Sequence, residues 1–514
     1  MTIQPVANLP SGRSRRTPLR QQRALLLLVV LAGILCRVAQ YMANPSLWHD
    51  EALVALNVMD RSAGQLFGPL DYAQAAPPLF LLAERGLWVA TGNPDFALRL
   101  VSFICGITAV PLFALLCWRL LPGAAAPWTA AFFALSDKLI WHSAEVKPYS
   151  SDVLCAVVLL LLALAIRHGS AALRFARLSM ISAIFVWFSF PAAIMFGGMS
   201  LTLLPRLWRR GGLARAIWVL GNGLVAASFV ALYLVTVRHQ HDESGNYLSN
   251  YWVTDFPDYS HPLRIPYWLI WELGRLCDHP YRSFGYLIGL LAIAGVIGLA
   301  RRRRYEVLGA CLWPIGLAIL AAFAKQYPFN GDRLTVYLVP GLFLLCGAGT
   351  AWLRECLPLP WQKLWFALAL VIVGRGAVEG TWRLFVPRSR SNIRPMVEYI
   401  RRMRQPGEGL YLVGDAMGIP GEPKDFTGSF SRELLCYWHD PQNYHAGLPK
   451  DVSRIPERRF WICFPMLPEH DPDKALAPLV DRLSPVATEK IRKLPDNHKG
   501  GAALLFERKD AGGS

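Results

Sequence analysis

Long apolar runs alternate with short polar breaks over the first three quarters of the chain. Runs near the ~20 residues that a helix needs to cross a bilayer recur at 24–42, 96–118, 125–141, 149–166, 178–190, 191–207, 214–236, 284–300, 306–324, 334–353 and 361–377. Their lengths and polar edges predict eleven spanning helices. The two runs around Phe190 are short, and one helix broken there is the other reading. Beyond the last run the period changes. Met396 to Met403 has helical spacing, Gly409 to Val413 and Arg459 to Phe464 read as strands, Pro472 to Leu483 as a helix, and Ala502 to Phe506 as a last strand. This predicts a small α/β domain over 387–514, long enough to bury a core of its own.

Composition agrees with the periodicity. With 54% hydrophobic residues, 17% charged residues and 18 tryptophans in 514 positions, an ordinary soluble protein is excluded. The fold class expected is an α-helical multispan membrane protein. Its membrane part covers 1–380, with outer loops at 43–95 and 237–283, and the α/β domain follows. A first span preceded by basic residues also resembles a signal peptide, but no small-x-small cleavage site follows and the apolar run continues past Leu35.

The net charge of +17 is uneven. From Pro387 onward there are 20 basic and 17 acidic residues, against 33 and 19 before it. Clusters at Arg13/Arg15/Arg16/Arg20/Arg23, Arg167/Arg174/Arg177, Arg206/Arg209/Arg210/Arg215, Arg301 to Arg304 and Arg354/Lys363 all fall on one side of the predicted spans. The positive-inside bias then puts the N-terminus in the cytoplasm and the C-terminal domain outside a plasma or inner membrane. The excess charge faces anionic lipid headgroups and gives no reason to invoke nucleic acid. Of ten cysteines, six (Cys36, Cys105, Cys117, Cys155, Cys311, Cys346) fall in spans, as small buried hydrophobes. Cys436 and Cys463 in the exported domain are either a disulfide or two unpaired core thiols.

The chemistry-bearing residues gather at the outer ends of the spans. They are His49, Asp50 and Glu51 after the first span, Pro77-Pro78-Leu79, Arg99 at the start of the second, Glu145, Lys147, Tyr149 and Asp152, and Asp332-Arg333 with Tyr337 and Pro340. Each has a plain alternative. Asp50 is a candidate helix N-cap, and Arg99, Lys147 and Arg333 are candidates for snorkelling to headgroups. Taken together, cations, acids and tyrosines on one face suit a phosphate at headgroup depth.

In this order the motifs resemble the GT-C superfamily of membrane glycosyltransferases, which includes protein O-mannosyltransferases and lipid A aminoarabinose transferases. The matching elements are Leu47 to Leu53, Pro77-Pro78-Leu79, Arg99-Leu-Val-Ser102, Glu145-x-Lys147-x-Tyr149 and Arg333 with Tyr337-x-x-Pro340. Each motif is short, and their order and shared sidedness carry the likeness over the whole chain. The resemblance implies transfer of a monosaccharide, with inversion, from a polyprenyl (undecaprenyl) phosphate to a glycan, lipid or protein acceptor outside the membrane. It implies Asp50 as general base, with Glu51 the second candidate and more readily an arginine's partner. It also implies Lys147, Arg333 and Arg99 on the donor phosphate, Tyr149 and Tyr337 orienting it, and His49, Glu145 and Asp152 in support. The chain departs from the pattern at Lys147, where Arg is commoner, and in the three residues separating Arg333 from Tyr337.

No metal or other cofactor is expected. His239-x-His241-Asp242 lacks a third ligand at sensible spacing, and the metal-dependent oligosaccharyltransferase branch has a different acidic constellation. The aromatic loop with Tyr247, Tyr251, Trp252, Tyr259, Tyr267, Trp268 and Trp271 has the composition of an interfacial belt. The alternative function is transport or flipping of a lipid-linked or anionic substrate. That reading expects ionisable residues near the midplane, for which Asp137 and Lys138 are the candidates, and internal repeats, of which none is visible.

Overall fold

The computed structural model describes residues 19–509 except 93, 166–169, 241–251, 387, 390–391, 414–433, 435, 437–443, 450, 466–471 and 495–500. His241 and Asp242 of the metal candidate, and Tyr247 and Tyr251 of the aromatic loop, lie outside the described residues.

A helix occupies each of the eleven apolar stretches. In chain order the helices are α1 (Leu19–Met42), α2 (His49–Asp60), α3 (Pro78–Thr91), α4 (Pro94–Leu120), α5 (Ala125–Ala134), α6 (Asp137–His142), α7 (Tyr149–Leu160), α8 (Ala171–Phe188), α9 (Ala192–Trp208) and α10 (Gly212–Leu232). They continue with α11 (Ile265–Asp278), α12 (Gly285–Arg301), α13 (Tyr305–Phe323), α14 (Val339–Cys356), α15 (Leu359–Phe385), α16 (Arg394–Met403) and α17 (Pro472–Leu483). By length and apolarity six described helices suffice to cross a membrane, and three shorter ones are as apolar. Burial separates the bundle's centre from its rim. In the segment that ends as α14, 89% of the most apolar window is buried, whereas in α10 the figure is 17%. Outward-facing Leu27, Leu28, Leu31 and Leu35 of α1 and Leu213, Val219 and Leu220 of α10 are exposed, as lipid-facing side chains must be.

One detail differs from the sequence expectation. The run 125–141 is not one helix, because α5 stops at Ala134 and Ser136 caps a separate α6, its hydroxyl accepting from the Leu139 N–H at 3.5 Å. The two runs around Phe190 hold two separate helices, as predicted, rather than one broken helix, with α8 and α9 separated by an extended Ser189 and a turn at Pro191.

Two helices, α2 and α3, follow the first apolar stretch, and α3 packs against α4 and α8. Pro78 begins α3, where its missing N–H costs nothing, and Gly92 in the left-handed region ends it. Helix α11 is amphipathic, with Leu263, Tyr267, Ile270 and Trp271 exposed beside it or on it and Glu272 and Leu276 buried. Trp268 turns inward instead, its indole N–H donating to the Thr254 carbonyl at 3.1 Å.

The C-terminal segment forms a five-stranded sheet from β1 (Gly409–Leu412), β2 (His445–Ala446), β3 (Arg459–Phe464), β4 (Ala487–Lys493) and β5 (Ala502–Arg508), in the order β2-β1-β3-β5-β4. β1 pairs in parallel with β2 and β3, and β5 is antiparallel to β3 and β4. β4 and the two-residue β2 were not foreseen, since Thr-Glu-Lys-Ile-Arg-Lys offers almost no apolar signal. Such a charged sequence suits an edge strand. Ile393 to Val397, Leu410, Trp461 and Cys463 share one apolar cluster with Leu47, Val54 and Leu56 and with Phe80 and Leu81. One apolar cluster thus connects the sheet with α2 and α3. Cys436 and Cys463 are both buried and form no disulfide with each other, and the Cys436 thiol donates to the Ala52 carbonyl at 3.5 Å.

The central helices approach backbone to backbone. A Cβ added at Gly295 of α12 would strike the Leu345 carbonyl oxygen of α14, and one at Gly349 would strike the Leu291 carbonyl oxygen. Gly295→Val should therefore lower the thermal midpoint in detergent, at a cost of about 1–3 kcal/mol or more. Gly316→Ala, at an open position of α13, should leave it unchanged.

Candidate active site

Helix α2 starts at His49, with Trp48 as its extended N-cap residue, so Asp50 occupies the first turn and is not itself the cap. Successive residues on a helix point about 100° apart, so Asp50 and Glu51 face different partners. Glu51 faces inward. Arg99 of α4 grips it with two bonds, Nε to Oε1 at 3.1 Å and Nη2 to Oε2 at 3.0 Å, and the Val146 N–H donates to Oε1 at 2.9 Å. Arg99 is fully buried and spends its other donor on the Asn44 side chain at 3.0 Å and the Pro45 carbonyl at 2.5 Å. These contacts tie Arg99 to Glu51 and to the segment before α2.

Asp50 faces two other cations. Lys147 Nζ lies 3.0 Å from Oδ1 and Arg333 Nη1 lies 2.7 Å from Oδ2. The same Lys147 Nζ donates to the Gln74 side-chain oxygen at 2.8 Å. The Arg333 guanidinium lies 5.7 Å from the ring centre of Trp48 and 5.4 Å from that of Trp252, within cation–π reach of both. Lys147 comes from the turn between α6 and α7, and Arg333 begins the 3-10 turn leading into α14. That turn is held down by Gly331, at φ 54°, whose missing Cβ would collide with the Glu272 carbonyl oxygen of α11.

The electrostatics follow from this geometry. Burial pushes the Asp50 carboxyl up, yet Lys147 and Arg333 outweigh it and hold the group below the usual carboxylate range. Burial lowers the Lys147 ammonium, opposed by Asp50. Glu51 is raised by burial, with Arg99 opposing. Asp50 is thus the ionised, partly accessible acid, and Glu51 is the sealed one.

The remaining predicted residues surround this centre. Tyr149 is buried at the start of α7, its ring edge-on to His142 at 5.0 Å. Tyr337 is buried with a hydroxyl that has no hydrogen-bond partner among the described residues, and Asp152 Oδ1 is in the same condition. Glu145 bonds His142 Nδ1 at 2.6 Å. His49 lies beside Asp50 and contributes weakly to its acidity. Asp137 bonds Arg383 at 3.1 Å and also Arg388. Among the described residues no group of three His, Cys, Asp or Glu side chains is placed to share a metal ion. Sequence reasoning missed Gln74, Trp252 as a face for Arg333, and the pair His142 and His279, which are 137 positions apart and touch at 3.4 Å. None of these lies in a local motif.

No family model and no curated sequence matches the chain. Solved structures do. ArnT from Cupriavidus metallidurans in the apo state superposes with a TM-score of 0.51 at 14% identity, covering 95% of this chain and 98% of that one. The same enzyme bound to undecaprenyl phosphate gives 0.48 at 14% identity over the same shares. The oligosaccharyltransferase of Archaeoglobus fulgidus in complex with Zn and sulfate gives 0.46 at 12% identity, over 74% of this chain and 56% of that one. The likeness to ArnT extends over the membrane bundle and the C-terminal sheet together, and the chain shares that fold.

Replacing Arg99 by Met strands Glu51 in the interior and should cost about 3–5 kcal/mol, read as a lower unfolding midpoint. The depressed Asp50 group contributes stability that is fully present above its unfolded value near pH 4. That contribution is lost as pH falls through the still lower folded value, and Asp50→Asn should remove this acid limb of the stability–pH curve.

Proposed function

We propose that the protein is an integral membrane glycosyltransferase that moves a monosaccharide from a polyprenyl (undecaprenyl) phosphate to an acceptor at the extracytoplasmic face. The observation that carries this reading is Asp50 held between Lys147 and Arg333, on a chain that shares the ArnT fold. A lone acid between two cations is a resting arrangement that an anionic ligand can enter, with the phosphate taking over the cations and the carboxylate being released to act as a base.

In the transfer, the acceptor oxygen attacks the anomeric carbon from the face opposite the phosphate, so the configuration inverts. The carbon–oxygen bond to phosphate breaks with its electron pair on the phosphate. The acceptor proton passes to Asp50, which must lie within hydrogen-bond reach of it. The donor phosphodiester carries one negative charge and the leaving monoester develops a second. Lys147 and Arg333 therefore bind the departing group more strongly than the substrate, which is the differential that accelerates a reaction. Removing the cations from Asp50 also raises its proton affinity when the donor arrives, bringing a base that is too weak at rest closer to its task. Tyr149 and Tyr337 orient the phosphate, and His49, Glu145 and Asp152 shape the field around it. No metal is needed in this scheme.

The same reading assigns residues 1–380 to the catalytic membrane domain and 387–514 to an extracytoplasmic domain above the site. The N-terminus is cytoplasmic and the protein belongs in a plasma or inner membrane, in contact with anionic lipid. The acceptor is a glycan, a lipid or a protein.

Purified protein in detergent, given labelled polyprenyl-phosphate sugar, envelope extract as acceptor and a chelator, should transfer or release sugar. Asp50→Asn should reduce that rate by about 10²–10⁴ while still binding the donor. Lys147→Ala and Arg333→Ala should lose donor affinity. Donor binding without turnover in every variant and in the wild type would contradict an enzyme and favour a carrier.

A further inference from the structure

Behind Asp50 four titratable side chains form one continuous chain of contacts. Glu145 Oε2 lies 2.6 Å from His142 Nδ1, His142 Nε2 lies 3.4 Å from His279 Nε2, and His279 Nδ1 lies 2.5 Å from Asp332 Oδ1. The two rings are 5.6 Å apart between centres at 21°. That exceeds the nitrogen–nitrogen distance by two ring radii, so the rings meet edge to edge, nitrogen to nitrogen. Glu145, His142 and His279 are buried, while Asp332 is half-exposed at the outer surface. The ends of the chain have a further property. Glu145 stands two residues before Lys147, and Asp332 stands immediately before Arg333. The contacts thus tie together the two segments that carry the cations on Asp50.

Proton counting gives this chain its chemistry. Nitrogen facing nitrogen, or nitrogen facing a carboxylate, attracts only with a proton between them. Three such contacts need three protons, and two neutral imidazoles supply two. We infer that the chain holds one extra proton, carried as the His142 imidazolium between Glu145 and neutral His279, and that His142 and His279 are positioning residues that set the spacing and field of Lys147 and Arg333. This rests on the reading of those two cations as the cradle of the donor phosphate. Burial pushes His279 down to about 4, Asp332 opposing, so it is neutral near pH 7. Burial raises Asp332, but its bond to His279 prevails and keeps it ionised. The 2.6 Å contact of His142 with the buried Glu145 carboxylate is the geometry that favours the charged ring there.

Among the described residues, the other charged and titratable groups facing these side chains include Lys138 of α6, which faces His279 and Asp332, and Asp255 and Glu272, which face Asp332. Glu51, Lys147 and Tyr149 face Glu145. With the proton in place the four groups sum to one negative charge. When it leaves at high pH they sum to two, and the contact between the imidazoles is lost or weakened on one side. Both changes weaken the hold on an anion, so donor affinity falls as pH rises.

The test is binding of a labelled polyprenyl phosphodiester to purified full-length protein between pH 5.5 and 9.5, since a phosphodiester keeps one charge throughout that range. Wild type should bind about fivefold more weakly at the alkaline end, the order expected for one unit of charge acting through a partly aqueous setting. His142→Gln and His279→Gln should bind with a smaller slope than wild type, the remainder being the titration of Lys147. If both variants fold and keep the wild-type slope, the inference is overturned. Should they fail to fold, ¹⁵N resonances of the histidine rings in the wild type decide. One buried imidazole with both nitrogens protonated at pH 7 supports the extra proton, and none with both protonated overturns it. Lys147→Ala and Arg333→Ala serve as the separate control. Unchanged binding in those two would overturn the phosphate cradle itself, whatever the histidines do.

Discussion

The site is organised by a buried charge that has no freedom to move. Glu51 is sealed in the interior and must be neutralised there, and Arg99 does so with two parallel bonds while the Val146 N–H supplies a third. A buried pair of this kind is costly to break from either side. It fixes the rotation of α2, and because adjacent helical residues diverge by about 100°, it also fixes where Asp50 points. The bond to Val146 places the following residue, Lys147, in the same stroke. Asp50 and one of its cations are therefore positioned by their immediate neighbours in the chain. Arg333 arrives from the far end of the membrane domain, on a turn that a glycine allows to lie against α11.

This division of labour explains why two consecutive acids are present. One is structural, raised by burial, and closed off by Arg99. The other is ionised, partly open, and held by two cations. The three-residue separation of Arg333 from Tyr337 also acquires a physical sense. A 3-10 turn over Arg333–Leu338 keeps the guanidinium at the mouth, between Trp48 and Trp252, while Tyr337 is carried into the interior.

Much of this was legible in the chain because membrane proteins write their architecture in long apolar runs. The eleven stretches each hold a helix, and the order of Asp50, Arg99, Lys147 and Arg333 along the sequence identified the face on which they gather. What stayed hidden has particular causes. The break at Leu135–Ser136 is invisible to hydropathy, since Ser136 interrupts an apolar run that continues on both sides. Strand β4 is charged on its open face and carries almost no periodic signal. Gln74, Trp252, His142 and His279 belong to the site through tertiary contact alone. Glutamine and histidine at isolated positions have no local pattern that distinguishes them from ordinary polar residues.

The account turns on which groups meet the phosphate and which acid is left facing the acceptor. A structure of the protein with a polyprenyl phosphate bound would measure this directly. The account predicts phosphate oxygens within hydrogen-bond distance of Lys147 Nζ and the Arg333 guanidinium, Asp50 released from at least one of them, and the Glu51–Arg99 pair unchanged. A phosphate held by Arg99, with Glu51 turned out towards the lipid and Asp50 still bound to both cations, would contradict it.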